Sequence, residues 1–263
     1  MSLKQNILSA YRLMQFVRSE RAWRSLNAKA NFKVENKIEA KNILVVSAHP
    51  DDEIFGCGGT LIENCESKIS IIYLFAGDKN SKSELALERK EESKRAGRIL
   101  AKERAVKSNS EKIEAIEQKF FNLADNSVIS KTVTTEICEI ISSYKPNAIF
   151  VPNFSDPHID HRSTAEAITK ALSEKIPHQV RDDIQVYLYE IWSPLPHFNR
   201  LIEIDMEKKI IVMNAFKTQK KERDYVSAIE YLNSYRGKIF GLKNPAEAFF
   251  ALPADLFVKI FVR

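Results

Sequence analysis

The sequence predicts an α/β fold of Rossmann-like type: a mainly parallel sheet flanked by helices, with the functional site at the carboxyl ends of the strands. Three observations carry this. Short apolar runs bounded by turn residues alternate with longer segments of helical period, the pattern of strand–helix–strand units. The apolar runs are nearly continuous, as strands buried on both faces must be. Dense clusters of Asp and His follow directly after two of them. Ligands and chemistry gather at that rim of an open parallel sheet.

Taken in order, residues 1–28 read as an amphipathic helix. Ile7, Tyr11, Leu13, Met14, Phe16, Val17 and Trp23 recur at helical spacing among basic residues. Such a face docks on a domain or lies on an anionic membrane surface. From Asn42 the expected elements are strand Ile43–Ala48, a helix near Gly59–Glu66, strand Ser70–Phe75 and a charged helix over Ser83–Lys102. A strand near Lys119–Leu123, a helix over Val133–Tyr144 and strand Ala148–Pro152 come next. A loop over Asn153–His161 then leads to a helix from Ser163 to Glu174. Pro177–Asp183 reads as a surface loop, Val186–Tyr189 and Arg200–Asp205 as strands, and Glu207–Asn233 as one helix. The apolar tail, Phe249–Val262, closes the core or forms an apolar surface near a membrane, the core being the favoured reading. Residues 1–40 are thus expected to form a basic amphipathic extension and residues 41–263 one domain.

Composition narrows the function classes. Hydrophobic residues make up 44% and charged residues 29%, as in ordinary soluble domains. Three cysteines without CxxC spacing argue against a disulfide framework and for a reducing, cytoplasmic setting. Arg12, Arg18 and Arg21 interrupt the early apolar stretches, so no secretory signal is expected. The net charge is +5, and residues 1–40 alone carry that excess, leaving the remainder balanced at 32 charges of each sign. A general nucleic-acid surface is therefore unsupported. Peripheral contact of the basic leader with the inner face of a membrane stays open.

The chemistry is concentrated in Ala48-His49-Pro50-Asp51-Asp52-Glu53, followed by a Gly56-Cys57-Gly58-Gly59-Thr60 turn. One imidazole and three carboxylates in five residues have no packing use, and burying them unpaired costs several kcal/mol or more. Asp156-Pro157-His158-Ile159-Asp160-His161 follows strand Ala148–Pro152 and holds two of the five histidines in the chain. Parallel strands bring both clusters to one rim, so His49, Asp51, Asp52, His158, Asp160 and His161 form one candidate constellation. Zinc suits these donors, with three protein ligands and an open position for water. Magnesium prefers oxygen donors, while iron also takes two histidines and a carboxylate.

These residues resemble the LmbE-like/PIG-L family of zinc-dependent N-deacetylases. The likeness rests on AHPDDE after a strand, the GxGGT turn, and HxDH followed by Arg162. It extends through Leu87–Glu92, Tyr189–Pro194 and Leu232–Gly237, about residues 42–250 in all. The resemblance implies zinc held by His49, Asp52 and His161, with Asp51 as general base. It implies His158 as the group that polarises the oxyanion and helps protonate the leaving amine, oriented by Asp160, and Arg89 as a contact to substrate hydroxyls. A tyrosine that assists the oxyanion in some relatives is replaced here by Asp156.

The implied activity is hydrolysis of the N-acetyl group of an N-acetylglucosamine-type sugar in a larger glycoconjugate, a lipid-linked one if leader and tail both face outward. Two alternatives stand beside it. One is an amidase of a non-sugar amide or a deacetylase of a thiol-cofactor precursor such as N-acetylglucosaminyl malate. The other is a catalytically silent, membrane-peripheral carbohydrate-binding protein. The intact His/Asp set weighs against the silent reading.

Overall fold

The structure is a computed structural model that describes residues 31–261. The amphipathic segment expected over residues 1–28, with its membrane contact, lies outside the described residues. Eight strands form one sheet in the order β1-β7-β8-β6-β5-β2-β3-β4. They are β1 (Lys33–Glu35), β2 (Asn42–Ser47), β3 (Lys68–Phe75), β4 (Glu117–Leu123), β5 (Ala148–Pro152), β6 (Gln185–Tyr189), β7 (Arg200–Glu203) and β8 (Ala246–Pro253). All pairings are parallel except those of β8, which runs antiparallel to both β6 and β7. Lys33–Glu35, the described strand that precedes residue 40, pairs with Arg200–Ile202 at the edge of the sheet.

The helices are α1 (Asp52–Glu63), α2 (Glu84–Lys107), α3 (Lys131–Tyr144), α4 (Ile159–Lys175), α5 (His178–Arg181), α6 (Met206–Met213), α7 (Lys217–Glu222), α8 (Tyr225–Ile239) and α9 (Ala254–Phe261). The period of two in the strands sorts the core onto both faces. Leu44, Val46, Ile72 and Ile149 pack with Ile137, Ile141, Ile168 and Phe257 of α3, α4 and α9. Ile43, Val45, Ile71 and Phe150 pack on the other face with Leu61, Leu100 and Val212 of α1, α2 and α6. The chain leaves β2 toward β3 on one side and reaches β5 on the other, so the winding reverses between β2 and β5. That reversal opens a crevice at their carboxyl ends.

The glycine cluster and the segment Glu207–Asn233 differ from the sequence expectation, each for a physical reason. The glycine cluster is helix interior, not a turn: α1 begins at Asp52. A Cβ on Gly56 would stand 2.3 Å from Tyr189 Cδ2, and one on Gly59 would stand 2.7 Å from Ile204 side-chain atoms. Glycine here lets a helix lie directly on the sheet. The helix expected over Glu207–Asn233 is three helices. Asp205 caps α6 through the Lys208 amide and Asp224 caps α8 through the Ser227 amide. Between them, the Glu92 carboxylate of α2 accepts the first amides of α7, Lys217 at 2.8 Å and Thr218 at 3.0 Å. The apolar tail follows its favoured reading as core: Phe249, Phe250 and Leu252 lie in β8 between two strands, and Phe257 is fully buried in α9.

A buried ion pair fixes α1 on this frame. Lys209 of α6, wholly inaccessible, donates to the Phe55 carbonyl at 2.8 Å and to Asn233 Oδ1 at 2.9 Å. Its Nζ lies 2.6 Å from Glu247 Oε1. The Glu247 carboxylate accepts the amides of Gly59 at 2.9 Å and Thr60 at 2.7 Å. Lys209→Met leaves Glu247 charged, buried and without its cation, so we expect a loss of about 3–5 kcal/mol in urea unfolding. Adding Glu247→Gln is expected to recover part of that loss. No recovery would mean that Lys209 acts through packing alone.

Candidate metal centre

β2 and β5 are hydrogen-bonded parallel neighbours, with Ile43 opposite Ala148 and Val45 opposite Phe150. Their continuations, Ala48–Asp52 and Asn153–His161, therefore leave the sheet on one rim. Each runs straight into a helix, α1 or α4, so two helix N-termini converge on the site. Their free amides and dipoles favour negative charge there. The structure brings His49, Asp51, Asp52, His158, Asp160 and His161 together, all buried except the half-buried His158.

One atom joins the two segments. Asp52 Oδ2 accepts the His49 amide at 2.8 Å and lies 3.4 Å from His49 Nδ1 and 3.3 Å from His161 Nε2. Each histidine has a further carboxylate behind it. His49 Nε2 donates to Asp160 Oδ2 at 3.1 Å, an assignment that leaves Nδ1 facing Asp52. His161 Nδ1 lies 3.1 Å from Asp156 Oδ1.

These residues fit a metal ion. Neither ring nitrogen of the fully buried His161 has a hydrogen-bond partner of sound geometry among the described residues. The carboxylates of Asp52 and Asp156 face these nitrogens at 3.3 Å and 3.1 Å without hydrogen-bond angles, and a ligand would satisfy the ring better. Four donors at about 2.0–2.1 Å from zinc in a tetrahedron stand about 3.3–3.4 Å apart, which is the spacing of Asp52 Oδ2 from both rings. The carboxylates behind the rings supply the outer shell that orients ligating histidines. Among the described residues, the donor atoms that fall within 4.8 Å of one another are those of His49, His158 and His161 and those of His49, Asp125 and Asp160, and Asp52 adds its contacts to the two rings of the first group.

The electrostatics agree. Burial opposes charge on His49, but the Asp160 and Asp52 carboxylates outweigh it and lift the imidazole to about 10. Burial likewise opposes charge on His161, and Asp52 and Asp156 raise it to about 9. Burial pushes Asp52 up, yet the His161 and His49 charges hold it far below the usual carboxylate range. The cluster thus concentrates negative potential that draws in a cation, whether protons or a metal. Asp51 goes the other way: burial first, then the Asp52 charge, raises it well above its ordinary value. Burial, then the His49 and His161 charges, lowers His158.

Asp51 is also strained. Its φ of 134° is a region that L-residues rarely adopt, and its carboxylate makes no capping bond to α1. Glu53 holds it there, with Oε2 accepting the Asp51 amide at 3.1 Å and Oε1 accepting the Tyr73 hydroxyl at 2.8 Å.

Asp160 has a different partner from the one the sequence implied. Its carboxylate lies 4.0 Å from His158 Nδ1 and instead bonds His49 and the Asn126 amide, the latter at 3.0 Å. What reaches His158 is the Asp160 backbone amide, donating to Nδ1 at 3.3 Å as α4 begins. Arg89, on α2, stands at the edge of the site, donating to the Gly77 carbonyl at 2.5 Å and lowering Asp51 and Asp125 by its charge.

Two carboxylates escaped the sequence reading. Asp125 lies 3.8 Å from His49 Nε2 and accepts the Gly77 amide at 2.9 Å. It follows β4, another parallel strand, so the strand-end rule would have found it. Asp156 was noted only as the absence of a tyrosine. Besides facing His161, it accepts the amides of His158 at 2.8 Å and Trp192 at 3.1 Å.

Comparison with known proteins gives a consistent picture. The family model described as "PIG-L: GlcNAc-PI de-N-acetylase" matches residues 44–172, the span that holds both clusters. The chain is 29% identical over 198 residues to a diacetylchitobiose deacetylase of Thermococcus kodakarensis, a match covering 71% of this chain and 63% of that protein. It spans less than two thirds of the length of the curated relatives it matches. In fold it is similar to the N,N'-diacetylchitobiose deacetylase of Pyrococcus horikoshii, with TM-score 0.64, 19% identity, and coverage of 83% of this chain and 86% of that one. It is also similar to a 4-carboxy-2-hydroxymuconate hydratase of Pseudomonas putida, with TM-score 0.60, 18% identity, and coverage of 81% and 96%. One fold thus carries different chemistries, and function has to be argued from the site.

The strain at Asp51 makes a stability prediction. Asp51→Gly removes a side chain from a positive-φ position and a carboxylate from a buried one, so it is expected to be more stable than the wild type by about 1–2 kcal/mol. Asp51→Ala keeps the strain and should fall below Asp51→Gly. Urea denaturation compares the three, and an Asp51→Gly chain less stable than the wild type would refute the strain.

Proposed function

The chain carries a domain of the PIG-L (LmbE-like) deacetylase family, and from that premise we propose that it is a metal-dependent hydrolase. In this reading it removes the N-acetyl group from an N-acetylglucosamine-type amino sugar within a glycoconjugate, releasing acetate and a free amine. The observation that carries the proposal is the placement of a strained carboxylate that makes no capping bond, Asp51, next to a His/Asp/His set in which the buried His161 faces two carboxylates without a hydrogen bond of sound geometry among the described residues. A structural metal site has no use for the extra carboxylate. The activities of the deacetylases to which the chain is similar support the substrate class.

His49 through Nδ1, Asp52 through Oδ2 and His161 through Nε2 would hold the ion, zinc by preference and ferrous iron as the other ion this donor set accepts. Such an ion supplies Lewis acidity and a water whose pKa falls to about 7. The remaining work belongs to side chains. Asp51 takes the proton of the attacking water at its carboxylate, and its fixed backbone keeps that oxygen aimed. His158 accepts the Asp160 amide at Nδ1, so its proton sits on Nε2, where it can donate to the oxygen of the tetrahedral species. The N-termini of α1 and α4 add favourable potential for that negative charge. This makes His158 a hydrogen-bond donor in the reaction and leaves Asp51 to carry the proton on to the departing amine. Asp160 keeps His49 in its ligating tautomer, and Asp156 does the same for His161. Arg89 is assigned to the hydroxyls of the sugar.

Acetate release from N-acetylglucosamine and N,N'-diacetylchitobiose by zinc-loaded, full-length protein tests the activity. Release from neither by metal-replete protein would defeat it. Asp51→Asn should keep its metal while losing at least about a hundredfold in kcat. His161→Ala should retain less than about a tenth of the wild-type metal, read by elemental analysis after dialysis. If Asp51→Asn lost the metal and Asp52→Asn kept it, the two aspartates would exchange roles.

A further inference from the structure

Beside the metal centre the chain presents an aromatic side chain that the chemistry above does not use. Trp192 is 42% exposed, an unusual investment of apolar surface in a large ring. Its plane lies within 16° of that of His158, with ring centroids 6.3 Å apart. The indole is therefore immediate to the reacting centre. Tyr225 meets it edge-on at 5.6 Å, and the Arg223 guanidinium stands over the ring at 5.5 Å from its centroid.

The loop that carries Trp192 is held at three points. Glu190 Oε2 accepts the Leu195 amide at 2.6 Å, closing the loop on itself. Arg236 Nη2 of α8 donates to Glu190 Oε2 at 2.8 Å and to the Leu195 carbonyl at 3.1 Å, and both charged partners are buried. At the apex, the Trp192 amide donates to Asp156, the carboxylate that also faces His161. A buried ion pair and a site carboxylate thus fix the backbone of an exposed ring. Packing alone gives no reason for this, since Trp192 stays 42% exposed despite its contacts with His158, Tyr225 and Arg223. A preorganised aromatic surface at the mouth of a site is what a ligand with an apolar face needs, because the ring loses little freedom on binding.

We propose that Trp192, braced by Tyr225, is the platform on which the C–H face of the substrate's pyranose ring stacks, setting the acetamido group against His158 and Asp51. Pyranoses carry axial C–H groups on one face and hydroxyls around the rim: the C–H face suits an indole, and the Arg223 guanidinium over that ring is a donor for hydroxyls. This inference rests on the deacetylase reading and deepens it, since it names the side chain that recognises the sugar ring.

The test uses full-length, zinc-loaded protein with N,N'-diacetylchitobiose. Trp192→Ala keeps the backbone amide that Asp156 holds, and it is expected to raise KM about tenfold or more with kcat within about threefold. Trp192→Phe, which restores a flat ring, should stay within about threefold of the wild-type KM. Binding is read separately in the Asp51→Asn background, where the saccharide persists, from indole emission. Because the chain has only two tryptophans, the difference between chains with and without Trp192→Phe isolates Trp192, and its emission should change saturably with the saccharide. A wild type that releases acetate, with Trp192→Ala unchanged in KM or Trp192 emission insensitive to the saccharide, overturns the platform and leaves the deacetylase reading standing. Saccharide-dependent emission without acetate release supports the platform and removes the deacetylase reading. Neither signal removes both.

Discussion

A single carboxylate oxygen holds the two halves of this site together. Asp52 Oδ2 takes a hydrogen bond from the backbone of its own loop and faces an imidazole from each of two segments more than a hundred residues apart. That meeting depends on the parallel register of β2 and β5, which sets Val45 beside Phe150. A one-residue slip in either strand would turn its side chains to the opposite face. The near-continuous apolar character of both strands fixes that register from both faces, so the core on either side of the sheet positions the chemistry at its end.

Burying this many ionisable groups at one rim opposes folding, and the surrounding structure offsets it. Each buried histidine is matched by a carboxylate on either ring nitrogen. Asp51 is the exception, held in positive φ by Glu53 and the backbone bonds that start α1. Such strain persists only where neighbouring structure over-determines it. The Lys209–Glu247 pair and the glycine contacts with Tyr189 and Ile204 provide that determination by pinning the body of α1 to the sheet and to α6. The helix that follows the strained residue is therefore anchored further along its length.

Much of this was legible in the sequence, because strand-end placement is a local property. The apolar runs located β2, β3, β5 and β6 within a few residues, and the two motifs located six of the clustered side chains. What stayed hidden depends on partners distant in the chain. The glycines of α1 resemble a turn until Tyr189 and Ile204 are seen against them. The breaks between α6, α7 and α8 lack Pro or Gly and are imposed in part by Glu92, over a hundred residues away. The HxDH spacing suggested an Asp160–His158 pair. The first turn of α4 instead aims the Asp160 carboxylate across the crevice at His49 and gives His158 only the backbone amide.

The two outer carboxylates are not equivalent, and the difference bears on how recognition and chemistry communicate. Asp160 ties His49 to the β4–α3 loop through Asn126, so it belongs to the frame of the sheet. Asp156 ties His161 to the Trp192 loop, which is itself clipped to α8 through Glu190 and Arg236. A shift of that loop changes the position of Asp156 Oδ2, and Oδ1 of the same rigid carboxylate faces His161 Nδ1. Mutual orientation of a ligating imidazole and its outer-shell carboxylate sets how strongly the ring can hold a cation. Asp156 thus touches both the mouth of the site and its centre, while His49 meets the mouth through His158, which lies edge-on to it and parallel to Trp192.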